Sequence, residues 1–258
     1  MNKIIRSIGA TILATSVMLP FGASAAEKSK VPGTFSANVG LASEYYFRGI
    51  SQNDDAPALQ GGFDYEISLA KPVTAYVGVW GSNLDFNEGA GVDGASIEID
   101  YYGGLKGNLG DSGIGWDVGF IYYSYPGAAS NLNYDFIEAQ AALSYDFGIA
   151  VVTASINWSP ENFGDSGTAT YPKLAVDVPI GGTGLTLSGY VARQNIEKNA
   201  AFGSPDYTEY NVSVGYTLAG FDMSVTYADT SINPSGDGNG EAVLFSVSRS
   251  FRAERELG

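Results

Sequence analysis

The chain has 258 residues, no Cys, no His and a formal net charge of −15. Without thiols or imidazoles it lacks a disulfide framework, thiolate or histidine metal sites, and Ser-His-Asp or Cys-His catalytic machinery. Its acidity repels nucleic acid, and only 16% of its residues are charged, against about 25% in an ordinary soluble domain.

Residues 1–25 read as a targeting segment. Lys3 and Arg6 form a basic start, Ile8 to Leu19 is apolar, and Ala23-Ser24-Ala25 offers a small-x-small cleavage site. The apolar stretch is shorter than the roughly 20 residues a spanning helix needs. Cleavage would remove two bases and no acid, leaving a still more acidic chain. Residues 26–33 are then a short leader to the fold.

From residue 34 onward the pattern is two-residue alternation. Near 34–47, Phe35, Ala37, Val39, Leu41, Tyr45 and Phe47 share one face, opposite Ser36, Asn38, Gly40 and Glu44. Such a pattern, rich in β-branched and aromatic residues, predicts strands rather than helices. Twelve segments carry it, at 34–47, 58–69, 72–81, 95–106, 113–124, 134–147, 149–158, 170–179, 184–194, 207–218, 220–229 and 240–251. The weakest are 72–81 and 170–179, and ten or eight strands would fit if these were loops.

The connections alternate long and short. Gly49–Pro57 is long and Lys71-Pro72 short; Ser159–Ala169 is long and Ile180–Thr183 short. Even strand number with short turns at one end and long loops at the other is the plan of an outer-membrane β-barrel. Closure is what lipid demands, because it offers no partner to a free strand edge. A soluble sandwich or β-helix would explain the alternation but not the loop lengths or the scarcity of Lys and Arg. The expected fold is therefore all-β, a 12-stranded antiparallel up-and-down barrel over 34–251 with a tail at 252–258, placed in the cell outer membrane.

On that plan the apolar face meets lipid and the polar face lines the interior. Tyr45, Phe47, Tyr122, Tyr145, Phe147, Trp158, Tyr207 and Phe221 lie near strand ends, where aromatic girdles belong. Arg193 and Arg249 fall on the lipid-facing parity at strand ends, within reach of lipid headgroups or lipopolysaccharide phosphates. The interior parity collects Glu44, Asp64, Glu66, Glu98, Asp100, Asp117, Glu138 and Glu209, with Asp146, Asp177 and Asp222, against the bases Arg48, Lys106 and Lys173.

Carboxylates lining a water-filled passage favour cations over anions, which makes Glu44, Arg48, Asp64, Glu66, Glu98, Asp100, Lys106, Asp117, Glu138 and Glu209 pore-lining candidates. Small barrels fill with side chains and large ones leave a channel; this one falls between. Glu98/Asp100 or Asp54-Asp55 could pair as in a glycosidase, but inward strand neighbours need no such role, and no catalysis is expected. Loop acids at Asp85, Glu88 and Asp93, and the run Asp237–Glu241, lack the spacing of an EF-hand. They read as solvated loop, and neither metal nor cofactor is expected.

The run Phe47-Arg48-Gly49-Ile50-Ser51-Gln52, followed by Pro57-Ala58-Leu59-Gln60-Gly61-Gly62-Phe63-Asp64-Tyr65, resembles the opening of the proteobacterial TorF-type porin family. Glu98-Ile99-Asp100-Tyr101-Tyr102-Gly103-Gly104 and the closing strand Phe245–Phe251 agree with it. The resemblance covers the chain beyond residue 25 and implies an outer-membrane location and a porin role. Arg48 in this motif reads as a structural latch, paired to a lumen carboxylate such as Glu44. Phe251 would be the terminal aromatic read by the barrel-insertion machinery, although Arg252 to Gly258 continue past it.

The sequence thus points to a channel for passive diffusion of small hydrophilic solutes, cationic or neutral. The alternative is a non-conducting barrel with an envelope-structural or adhesive role. Expected partners are outer-membrane lipid, lipopolysaccharide, the insertion machinery and small solutes, with no nucleic acid.

Overall fold

A computed structural model describes residues 32–86, 94–232 and 240–255, with the side chains of Glu254 and Arg255 left aside. The targeting segment 1–25, the loop acids Glu88 and Asp93, and residues 237–239 lie outside them.

Alternation becomes strand in each of the twelve segments. The elements are β1 (Gly33–Ala42), β2 (Tyr46–Phe47), β3 (Ile50–Ser51), β4 (Ala58–Ala70), β5 (Val73–Asn83), β6 (Ile97–Asn108) and β7 (Ile114–Ser124). They continue with β8 (Phe136–Asp146), β9 (Val151–Ser159), β10 (Ala169–Ile180), β11 (Leu185–Ile196), β12 (Tyr207–Leu218), β13 (Phe221–Thr230) and β14 (Ala242–Arg255). Twelve of them form one closed antiparallel barrel in the order β1-β14-β13-β12-β11-β10-β9-β8-β7-β6-β5-β4, with β4 back against β1. The two weakest segments of the sequence are β5 and β10, both fully paired.

Residues 71–72, 109–113, 147–150, 181–184 and 219–220 turn the chain at one end of the barrel, and all the longer connections lie at the other. The tightest short turn follows from backbone geometry. Ala219 (φ 53°) and Gly220 (φ 80°) lie between the paired residues Leu218 and Phe221. Two left-handed residues in a row make the turn whose twist matches a hairpin.

Side-chain period 2 divides the wall into two faces. On β8, Phe136, Glu138, Gln140 and Ala142 are buried, while Ile137, Ala139, Ala141 and Leu143 are exposed. On β12, Tyr207, Glu209, Asn211 and Ser213 are buried, and Tyr210, Val212 and Val214 face out. Every barrel strand contributes exposed large apolar side chains, among them Phe63 (68%) and Leu143 (59%). An apolar belt around the whole molecule far exceeds the patch a soluble monomer tolerates, and suits a hydrocarbon surround. Strands of 9–14 residues meet the roughly 9–11 that a tilted strand needs to cross it.

Two boundaries differ from expectation. β14 runs on to Arg255, pairing Arg252 to Ser36 and Arg255 to Gly33, so the segment after Phe251 extends the wall. The first segment breaks at Ala42, and residues 43–57 leave the wall to form the β2–β3 hairpin, a separate two-stranded unit.

Candidate functional site

The barrel interior holds the charged residues, and the hairpin reorganises it. Arg48 (φ 50°) and Gly49 (φ 76°) make the β2–β3 turn. A Cβ on Gly49 would lie 2.3 Å from Thr230 Cγ2 and 2.9 Å from Glu209 Oε2. The turn is therefore packed against the inner face of β12 and β13, where only a glycine fits.

From that turn Arg48 reaches across the bore. Its Nη2 lies 2.6 Å from Glu138 Oε2 on β8, and its Nη1 donates to Gln194 Oε1 on β11 at 2.9 Å. The guanidinium carbon stands 4.1 Å from the centre of the Tyr171 ring on β10. Tyr207 Oη donates to the Arg48 carbonyl at 2.9 Å, and Asn157 Nδ2 donates to Glu138 Oε2, also at 2.9 Å. Since the hairpin is rooted between β1 and β4, and β8 to β11 form the opposite wall, this cluster spans the lumen. Burial opposes the Arg48 charge, but the adjoining Glu138 carboxylate outweighs it and holds the guanidinium more firmly protonated than usual.

These contacts correct the expected partnership and three girdle assignments. Arg48 is a latch, but to Glu138. Glu44 lies in the connection, where it accepts from the Ser51 hydroxyl and, at 3.3 Å, from the Asp55 N–H. Burial raises the affinity of Glu44 for its proton, and the Ser51 bond works against that. Tyr45 and Tyr207 are buried and Phe47 half-buried, so none of the three faces lipid. Tyr207 shares parity with Glu209, and parity prevails over residue type. Tyr122, Tyr145, Phe147, Trp158 and Phe221 are exposed on the outer face.

Further interior residues form a second network nearer the short turns. Lys106 Nζ lies 2.6 Å from Glu66 Oε1. Tyr76 Oη donates to Asp117 Oδ1 at 2.8 Å and accepts from Gln140 Nε2 at 3.0 Å. Tyr102 donates to Asp64. The room for these rings comes from inward glycines: a Cβ on Gly78 would fall 2.3 Å from the Tyr102 ring.

Glu209 accepts from the Tyr171 hydroxyl. Glu98 and Asp100 are different. Both are fully buried on β6, where the hydroxyls of Tyr45 and Tyr125 and the neighbouring Asp100 carboxyl are the polar groups within hydrogen-bonding reach of Glu98. Above them stands an aromatic layer that the sequence reading missed. Tyr123 stacks on Phe136 with centroids 4.4 Å apart, Tyr134 on Phe163 at 4.2 Å, and Phe86 meets Tyr125 at 5.6 Å. Three of the long connections supply Phe86, Tyr125, Tyr134 and Phe163.

On the outer face, Arg193 is exposed and donates to Asn195 Oδ1 and Thr208 Oγ1. Arg249 lies 5.0 Å from the Phe221 ring centre and 5.5 Å from that of Phe251, which is itself exposed. No group of three or more Asp, Glu, His or Cys side chains is arranged to hold a metal among the described residues.

Residues 25–251 match a bacterial family described as "Bacterial protein of unknown function (Gcw_chp)". No curated protein matches the chain. Among solved structures, an outer membrane channel from Pseudomonas putida F1 is similar over 90% of this chain and 100% of its own, at 12% identity and a TM-score of 0.53. A KdgM porin is similar over 84% of this chain and 98% of its own, at 6% identity and a TM-score of 0.49. At 12% identity, the likeness to the Pseudomonas putida structure shows a shared barrel fold and nothing finer.

Proposed function

The chain belongs to the Gcw_chp family, and on that footing we propose that it is an outer-membrane channel for passive diffusion of small hydrophilic solutes, cationic or neutral. One observation carries this reading: a closed wall with an apolar belt outside and a charged interior in which carboxylates outnumber bases. Such a wall is stable only across a membrane, and an acidic lumen repels anions. The resemblance to TorF-type porins supports the same reading and is its finer form.

Asp64, Glu66 and Lys106 stay partly exposed to the lumen, whereas Glu98, Asp100, Asp117, Glu138 and Glu209 are buried among its interior side chains. Glu44 and Arg48 belong to the inward connection that narrows it. Solutes pass beside the hairpin, so the Arg48 clamp sets the bore. Outside, Arg193 faces lipopolysaccharide phosphates. Arg249 and Phe251, near the short turns, meet the opposite headgroups and the insertion machinery. Residues 1–25 are removed on export.

Conductance of the refolded protein in a planar bilayer tests this. Discrete single-channel steps with cation preference are expected, and larger steps in Arg48→Ala. The second reading, a non-conducting envelope-structural or adhesive barrel, is favoured by the clamp crossing the lumen. Silence of both wild type and Arg48→Ala would establish it.

A further inference from the structure

Of the interior bases Arg48, Lys106 and Lys173, the last stands apart. Arg48 lies against Glu138 and Lys106 against Glu66, but Lys173 forms no ion pair with a carboxylate among the described residues. Its ammonium stands 5.3 Å from the centre of the Tyr190 ring on β11. The acid on the same inward face of β10 is Asp177, four residues on and about 13 Å away along the strand. Asp177 accepts from the Ser188 hydroxyl at 2.6 Å. Ala175 alone separates Lys173 from Asp177 on that face, and it pairs with Tyr190 on one side and Thr153 on the other. A positive end, a negative end, an aromatic flank and a hydroxyl flank thus surround a gap floored by one methyl group. Lys173, Ala175, Asp177, Thr153 and Tyr190 all stay partly open to the lumen, so a solute can reach it.

Two further polar groups beside the gap have capacity to spare. Ser155 pairs across from Lys173, and its hydroxyl oxygen is buried with no hydrogen-bond partner among the described residues. Asn211 pairs across from Tyr190. It is 4% exposed, and its Oδ1 is likewise unpartnered. Buried polar atoms are ordinarily bonded, and a half-buried ammonium ordinarily has an acid. Elsewhere toward the short turns that rule holds: Asp64, Glu66 and Asp117 have donors within the wall. The stretch of β9 to β12 around Lys173 is the exception, and its unmet groups include both a cation and acceptors.

We propose that Lys173, Tyr190 and Asp177 form a binding site for a small zwitterion of the amino-acid type. The carboxylate of such a solute meets the Lys173 ammonium and the Ser155 hydroxyl. Its ammonium meets Asp177 and the face of the Tyr190 ring, which attracts cations, with Asn211 Oδ1 as a further acceptor. A solute with a single charge satisfies one end and leaves the other unmet, and a site that needs a partner at both ends rejects it. The site deepens the channel reading by naming a class of neutral solute. It rests on that reading for transport, whereas binding itself needs no current.

The test is equilibrium dialysis of radiolabelled alanine and 4-aminobutyrate, zwitterions of different span, against the full refolded barrel in detergent at neutral pH. Saturable binding of at least one is expected. Butyrate, butylamine and glucose should displace it far less well than the unlabelled zwitterion. Affinity should fall about tenfold in Lys173→Met and several-fold in Asp177→Asn, survive in large part in Lys173→Arg, and stay unchanged in Asp222→Asn. Lys173→Met strands no acid, so the wall stays intact, and heat-modifiable gel migration verifies it. No saturable binding, equal affinity in Lys173→Met, or equal displacement by butyrate, butylamine or glucose overturns the site. Planar-bilayer current on the same protein separates the two readings: conductance without zwitterion binding overturns the site alone, and binding without conductance overturns the channel alone.

Discussion

The two halves of the lumen solve one problem in different ways. Toward the short turns, Asp64, Glu66 and Asp117 each have a donor of their own: Tyr102, Lys106 and Tyr76. All three come from neighbouring stretches of wall, and the Lys106–Glu66 pair stays partly exposed to the lumen, at 17% and 31% side-chain exposure. Toward the long loops, satisfaction comes from across the bore. Arg48 and Glu138 have 8% and 1% side-chain exposure, and their union depends on a hairpin that leaves the wall. The inner half is a lined tube, whereas the outer half is a bridged one. Local pairing preserves a passage, while transverse pairing gives up bore for rigidity.

Breaking the bridge should have the largest effect. Arg48→Ala strands Glu138 as a buried, unpaired charge, at a cost of about 3–5 kcal/mol, read as a fall in urea unfolding midpoint together with wider conductance steps. Gly49→Val drives a branched side chain into Thr230 and forces a β-branched residue into left-handed backbone. A loss of about 2–3 kcal/mol is expected, and loop protection in hydrogen exchange should drop with it. In the inner half, Lys106→Met leaves Glu66 beside lumen water, and about 1–2 kcal/mol is expected by the same unfolding measurement. A loss equal to that of Arg48→Ala would erase the distinction between the halves. Away from both, Ala219→Asn relieves left-handed strain in the tightest turn and should stabilise by about 0.5–1 kcal/mol, a shift that heat-modifiable migration can read.

The wall was legible in the sequence because period 2 is a local property. Val212 and Val214 against Asn211 and Ser213 declare their faces without reference to anything distant. Even β5 and β10, the weakest segments, obeyed it. The hairpin was hidden for a physical reason. Tyr45 and Phe47 continue the alternation past Ala42, and their rings suit a girdle as well as they suit a core. The turn itself is Arg-Gly, not the Asn-Gly that advertises two left-handed residues. The latch role of Arg48 was legible in its motif and its place among acids, but its partner lies 90 residues away, and no local pattern encodes that distance. Tyr207 is the instructive case: parity with Glu209 placed it inside, and attention to its ring placed it wrongly outside.

The pairing of Gly33 with Arg255 has a consequence for how the molecule comes into being. The seam joins the first and last strands, so the wall cannot shut until nearly the whole chain has been synthesised, and every shorter intermediate carries two open edges. Contacts of such sequence separation are slow to form, and bare edges invite pairing with other chains. The chain therefore needs shielding in transit, and its last-made strand acts as the bolt that ends that vulnerable period.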